Sequence, residues 1–145
     1  MNEKHIGVGC GVMILDGNKV LMCRRLSRGY NGYGQWALVG GNVEFGETPE
    51  QAAIREVKEE TDLDIDPKDI SVFCFSNNIY NEESHYISIG LITRKWRGVV
   101  KNMEPHKCAE LKWFDLDALP ENIFVPSAEF IRNYKTNAFY TRNEG

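Results

Sequence analysis

One stretch constrains this chain more than any other: Gly40 to Leu63, GGNVEFGETPEQAAIREVKEETDL. It places a glycine pair, a turn, a helix start and a cluster of carboxylates in one run. Thr48 is a good N-cap residue, Pro49 suits the first helical position, and Gln51 stands three residues after the cap. That is a capping box, with proline where its missing N–H does no harm. It predicts a helix from Pro49 to about Thr61. At about 100° per residue, Ala53, Ile54, Val57 and Thr61 share one face. Glu56, Glu59 and Glu60 share another, with Ala52 among them. One side is expected to bury against a core while the other presents three carboxylates.

The arrangement costs stability. Glu56 and Glu60 form an i,i+4 like-charge pair, unfavourable by roughly 0.2–0.5 kcal/mol in an isolated helix. Glu59 and Glu60 also lie near the negative end of the helix dipole. A bound divalent cation removes the repulsion, and hard cations such as Mg²⁺ take oxygen ligands. A solvated acidic face fits the helix alone equally well.

The flanks favour the cation. Gly40-Gly41 permit close approach of a carbonyl or a phosphate. Glu47 precedes the helix, and Arg55 adjoins Glu56. From Gly41, five residues lead to Glu47, and seven more to Arg55-Glu56-Val57-Lys58-Glu59-Glu60-Thr61-Asp62-Leu63. This resembles the Nudix hydrolase signature, G-x5-E-x7-R-E-U-x-E-E-x-G-U, with U a bulky aliphatic. Asp62 stands where the signature has Gly, and Val39 where many members carry proline. Asp tolerates the left-handed geometry that such a C-cap needs, so the first departure touches the cap rather than the chemistry.

The resemblance runs from about Gly7 to Tyr134 and implies an α/β fold: a Nudix-type α/β/α sandwich around a mixed sheet. It implies Glu56 and Glu60 as Mg²⁺ ligands, with Mn²⁺ as a substitute, and Glu59 as ligand or base. It implies that the Gly40 carbonyl is a further ligand and that Arg55 orients Glu56, through Glu47. A homodimer is consistent with the family.

Length and composition agree. A chain of 145 residues fits one domain, 1–145. A hydrophobic content of 42% and a charged content of 26% are ordinary for a water-soluble globular protein. A net charge of −4 provides no basic footprint for a nucleic acid polymer, yet permits a nucleotide held through metal ions. No apolar run approaches the ~20 residues that cross a bilayer, so no membrane partner is expected. The start, MNEKHIG, has no apolar signal region. Cys10, Cys23, Cys74 and Cys108 form no C-x-x-C pair, and free thiols in a reducing cytoplasm are expected.

Along the chain, His5 to Leu15 and Lys19 to Arg25 read as strands joined at Asp16-Gly17-Asn18 into a hairpin. Arg25 closes the second strand as an exposed charge or as a clamp on substrate phosphate. Ser27 to Gln35 is a glycine- and tyrosine-rich loop. Trp36 to Val39 is a strand leading into Gly40-Gly41. Ile70 to Tyr80 and His85 to Arg94 are β-branched and aromatic strands joined by residues 81–84. His85 and Ile87 face one way, Tyr86 and Ser88 the other. Tyr86 and Ser88 are candidates for contacting a nucleotide, with ordinary sheet packing as the alternative.

Residues 99–108 are extended, Ala109 to Phe114 is a strand, and Asp115 to Pro120 a short helical turn. Glu104 and Glu110 are loop-side carboxylates that can supply a further ligand or base, or are surface charges. Pro126 to Tyr134 forms a last helix with Phe130 and Ile131 inward. The tail from Lys135 is polar and expected to be flexible.

The expected activity is Mg²⁺-dependent hydrolysis of a (deoxy)nucleoside triphosphate, purine favoured and including oxidised forms, to the monophosphate and pyrophosphate. The alternatives are hydrolysis of ADP-ribose, NADH or a nucleotide sugar, and a silent nucleotide-binding module. A silent module should have lost box carboxylates, whereas Glu47, Glu56, Glu59 and Glu60 are all present.

Overall fold

The computed structural model describes residues 3–26 and 33–143. Within them lie strands β1 (Gly7–Asp16), β2 (Lys19–Arg25), β3 (Trp36–Asn42), β4 (Ile70–Asn81), β5 (Ser84–Thr93), β6 (Cys108–Asp115) and β7 (Tyr140–Asn143). Helix α1 is Pro49–Thr61 and helix α2 is Val125–Thr136. The seven strands lie in the order β6-β2-β3-β1-β5-β4-β7. β1 runs parallel to β5, and β4 parallel to β7; the other pairs are antiparallel.

β1 explains the layering. Cys10, Val12 and Ile14 enter the cluster beneath α1, with Val39, Ala52, Ala53, Val57 and Leu91. Met13 and Leu15 enter the cluster beneath α2, with Met22, Leu38, Phe130 and Ile131. Successive strand side chains point to opposite faces, and both faces are covered, so the run is apolar without alternation. The result is the expected mixed sheet between helices.

The β1–β2 hairpin is only a hinge. The two strands pair at Leu15↔Val20 and Asp16↔Lys19, then part. β3 enters the opening: Trp36 to Leu38 pair with β2, and Val39 to Asn42 with β1. Past Leu38, β3 has β1 on one side and, among the described residues, no strand on the other. The glycine pair falls on that free side.

Helix α1 begins as expected: Gln51 donates its backbone N–H to Thr48 Oγ1 at 3.1 Å, and Gln51 Oε1 accepts from the Thr48 N–H at 2.9 Å. It ends on Asp62 at φ 64°, the left-handed cap, whose N–H donates to the Lys58 carbonyl.

Two expectations change. Asp115 to Pro120 is not helical; β6 continues through Asp115, whose Oδ1 accepts from the Asp117 N–H at 2.8 Å. The tail forms β7, because its aromatics have a partner. Tyr140 lies 4.6 Å and Phe139 6.3 Å from Phe75, ring to ring, and the Phe75 N–H donates to the Phe139 carbonyl. The loop expected over Ser27 to Gln35 lies outside the described residues except for its last three positions. There Gly34 donates to the Arg25 carbonyl and Arg25 to the Gln35 carbonyl, at 2.7 and 2.9 Å.

Candidate active site

The acidic edge of α1 does not face water. Ala52 is fully buried, and its small side chain brings the following turns close to β3. Glu56 stands on Gly41, where an added Cβ would collide with the Glu56 carboxyl carbon. Gly40 is equally confined, since a Cβ there would collide with the Cys10 carbonyl oxygen. Its N–H, on the side β2 has left, donates to Glu60 Oε2 at 3.0 Å. Of the three carboxylates Glu59, with half its side chain exposed, is open to solvent as the sequence suggested, while Glu56 and Glu60 are partly buried.

Arg55 ties the helix to the preceding loop. Its Nε and Nη2 donate to the two Glu47 oxygens at 2.7 and 2.9 Å, a bidentate pair. Nη2 also reaches the Asn42 carbonyl at 3.0 Å, and Nη1 donates to Glu56 Oε1 at 2.8 Å. Arg55 therefore touches Glu56 directly as well as Glu47. Glu59 Oε2 lies farther from Nη1, at 3.4 Å.

The charges separate by environment. The Arg55 guanidinium, with the Glu44 amide, holds Glu47 down at about 2. Burial raises Glu56 above its ordinary value despite Arg55. Burial, then the charge of Glu56, raises Glu60 further. Glu104 adds repulsion to both, so the segment after Val100 brings a further carboxylate to the site. Hydrogen bonds from Lys101 N to the Thr61 carbonyl (3.0 Å) and from Met103 N to the Glu60 carbonyl (3.1 Å) dock that segment on the end of α1. Glu110, exposed on β6, has no such link.

Arg25 is half-buried at the end of β2. Its guanidinium lies 4.2 Å from the centre of the Phe124 ring, and its buried Nε has no hydrogen-bond partner among the described residues. Burial lowers its pKa, opposed by nearby Cys23, Glu60 and Tyr80. Tyr86 and Ser88 lie elsewhere. Ile89 packs with the α1 cluster, so the even positions of β5 point to the α2 face. Tyr86 covers Gly7 there, Ser88 is buried, and neither reaches the carboxylates. Phe124 and the Asn42 carbonyl carried no sequence signal: one sits in an ordinary apolar run, and the other is a backbone group any residue supplies.

Among the described residues, no three His, Cys, Asp or Glu side chains already form a ligand set. The donors nevertheless fit a hard cation. They are all oxygens, Glu56 and Glu60 are both raised by burial and by neighbouring carboxylates, and Glu60 has no ion-pair partner among the described residues. A cation between Glu56 and Glu60 would offset that repulsion.

The NUDIX domain family model matches residues 4–134. An ADP-ribose pyrophosphatase of Methanocaldococcus jannaschii is 38% identical over 121 residues, covering 83% of this chain and 68% of that protein. An 8-oxo-dGTP diphosphatase of Escherichia coli is 27% identical, covering 87% of this chain and 92% of that one. The crystal structure of a MutT NUDIX hydrolase from Burkholderia pseudomallei matches with a TM-score of 0.82 and 25% identity, over 89% of this chain and 98% of its own. With the signature carboxylates, their arginine and the glycine pair gathered along one side of α1, this chain belongs to the Nudix family, as a MutT-like hydrolase of nucleoside diphosphate-linked substrates.

Proposed function

We propose that the protein is a Mg²⁺-dependent nucleoside triphosphate diphosphatase, converting a purine (deoxy)nucleoside triphosphate and water to the monophosphate and pyrophosphate. The observation that carries this reading is the pair Glu56–Glu60, partly buried beside a glycine-lined turn, with Arg55 on Glu56 and no ion-pair partner for Glu60 among the described residues. Glu56 and Glu60 hold the ion, and Mn²⁺ can replace Mg²⁺. The Gly40 carbonyl is a further donor. When bound, the ion neutralises phosphate oxygens and acidifies a water.

The chain's own groups do the rest. Glu59, on the exposed edge, accepts the proton of the attacking water or completes the ligand set. Glu104 is the second candidate for either role. Arg55 holds Glu56 and Glu47 in place and is a positioning residue. Gly41 leaves room for Glu56 beside the substrate. Arg25, half-buried at the end of β2, pairs with a substrate phosphate. Tyr86 and Ser88, on the other face, contact the nucleotide only if it wraps over the end of β1 near Gly7.

A second reading is hydrolysis of ADP-ribose, favoured by the identity to the M. jannaschii protein of that name. A panel of NTPs, dNTPs, 8-oxo-dGTP, ADP-ribose, NADH and nucleotide sugars, with products resolved with and without Mg²⁺, separates the two. The first reading expects pyrophosphate from a purine triphosphate. Exclusive release of AMP and ribose 5-phosphate from ADP-ribose would replace it with the second.

A further inference from the structure

The signature chemistry uses no cysteine, yet two thiols meet beside it. Cys23 on β2 and Cys108 on β6 are 9% and 6% exposed, and both are free. Their strands are paired, with Cys23 opposite Leu111 and Cys108 opposite Arg25, and the register shifts between Cys23 and Arg25. The two side chains are therefore diagonal neighbours on one face of the strand pair, close enough that each thiol's titration is set chiefly by the other, while Cys108 Sγ donates to the Glu110 carbonyl at 3.3 Å. Burial raises Cys10 and Cys74 to about 11, and its thiol neighbour together with burial raises Cys23 further.

We propose that Cys23 and Cys108 are a redox pair that closes into a reversible disulfide and thereby disturbs the carboxylate site. The bond itself stands on the thiol geometry alone; its effect on turnover rests on the active-site reading above.

The chemistry needs a peroxide as oxidant. The Cys108 sulfur attacks a peroxide oxygen, the O–O bond breaks, and a sulfenic acid forms as one water leaves. The Cys23 sulfur then attacks that sulfur, the S–O bond breaks, and the oxygen departs as a second water with the remaining thiol proton. Two thiols and one hydrogen peroxide give one disulfide and two waters.

The route to the site is a chain of hydrogen bonds. The Cys108 N–H donates to the Glu104 carbonyl at 2.9 Å, and Asn102 Nδ2 donates to the Cys108 carbonyl at 2.9 Å. Asn102 Oδ1 accepts from the Glu104 N–H at 3.1 Å. The next residue, Met103, donates to the Glu60 carbonyl. Diagonal thiols in a shifted register must draw closer to bond, because a disulfide tolerates a narrow range of separations. The pull falls on Cys108, and through it on the segment that carries Glu104 against Glu56 and Glu60. A bond formed at this cost in geometry is readily reduced, as regulatory disulfides are.

The test oxidises the full chain with hydrogen peroxide. Intact mass, peptide mapping, the Mg²⁺-induced rise in Tm and hydrolysis of the best substrate of the panel are then read. The expected result is a loss of about 2 Da, the two thiol hydrogens, and a Cys23–Cys108 peptide. Tenfold or greater loss of activity and a smaller Mg²⁺ effect on Tm accompany it, and dithiothreitol restores both. Cys23→Ser and Cys108→Ala stay active and lose the response to peroxide, whereas Cys10→Ser keeps it. Should a variant not fold, the wild-type peptide map still decides. Absence of the Cys23–Cys108 peptide overturns the proposal. So does the bond with unchanged activity and Mg²⁺ response, or inactivation that persists in both variants. If no panel compound is hydrolysed in the reduced state, the active-site reading fails, while the mass readout still judges the bond.

Discussion

The Gly40 N–H donates to Glu60 Oε2 at 3.0 Å, and this contact fixes the helix carboxylates relative to the sheet. It exists because β2 leaves β3 after Leu38, so the Gly40 amide has no strand partner on that side. A side chain from the last turn of α1 fills the place a strand would take. A buried backbone donor needs such a partner, and here the partner is a carboxylate of the signature.

The two glycines should fail differently. A Cβ at Gly40 meets the Cys10 backbone, and a Cβ at Gly41 meets the end of a side chain. Gly40→Ala is expected to cost roughly 1–3 kcal/mol of stability, as overpacking does. Gly41→Ala displaces Glu56 and should weaken Mg²⁺ binding and turnover with little change in Tm. Chemical denaturation and Mg²⁺ titration of both variants check this.

Glu47 should govern the acid limb of stability. Its folded pKa of about 2 lies below its ordinary 4.5, so its pairing with Arg55 contributes fully above about pH 4.5. That contribution is lost as pH falls through 2. Glu47→Gln should flatten this limb of a Tm–pH profile. It should also lower activity roughly 10–100-fold, the usual loss when a group supporting a metal ligand is removed.

Glu56 and Glu60 carry the opposite sign. Their folded pKa values are raised, so the metal-free fold takes up protons and loses stability as pH rises from about 4.5 through the raised values. In EDTA the Tm is expected to fall between pH 5 and neutrality, and Mg²⁺ should reverse the fall. A Tm that rises over that range in EDTA would refute this sign.

Asp62 occupies a left-handed cap, φ 64°. Asp62→Gly removes that conformational cost and an exposed contact with Lys58 at 2.9 Å. The substitution should stabilise the protein by up to about 1 kcal/mol without affecting turnover. Asp62→Val, β-branched at positive φ, should destabilise it. Thermal melts with a parallel activity assay decide.

Much of this was legible in the sequence because it is local. The Thr48–Gln51 box, the limits of α1, the Asp62 cap and the strand alternation at Tyr86 and Ser88 depend on neighbours a few residues away. What the sequence hid is set across the fold. Periodicity grouped Ala52 with Glu56 and Glu60, but did not reveal that this edge packs against Gly40 and Gly41. A turn at Gly17 marked a hairpin without showing where its strands part. Phe139 and Tyr140 looked like a loose tail because their partner, Phe75, lies far back in the chain.

The most direct test of the central claim is Mg²⁺ titration of wild type, Glu56→Gln and Glu60→Gln, read as Tm and as turnover of the preferred nucleotide. The side-chain carbonyl that Glu60→Gln introduces can still accept from the Gly40 amide, so each variant should fold, with a metal-free Tm no lower than wild type. Each should lose the Mg²⁺-induced rise in Tm, and turnover should be abolished. Variants that hydrolyse the nucleotide at near wild-type rates, with an intact Mg²⁺ response, would contradict the account.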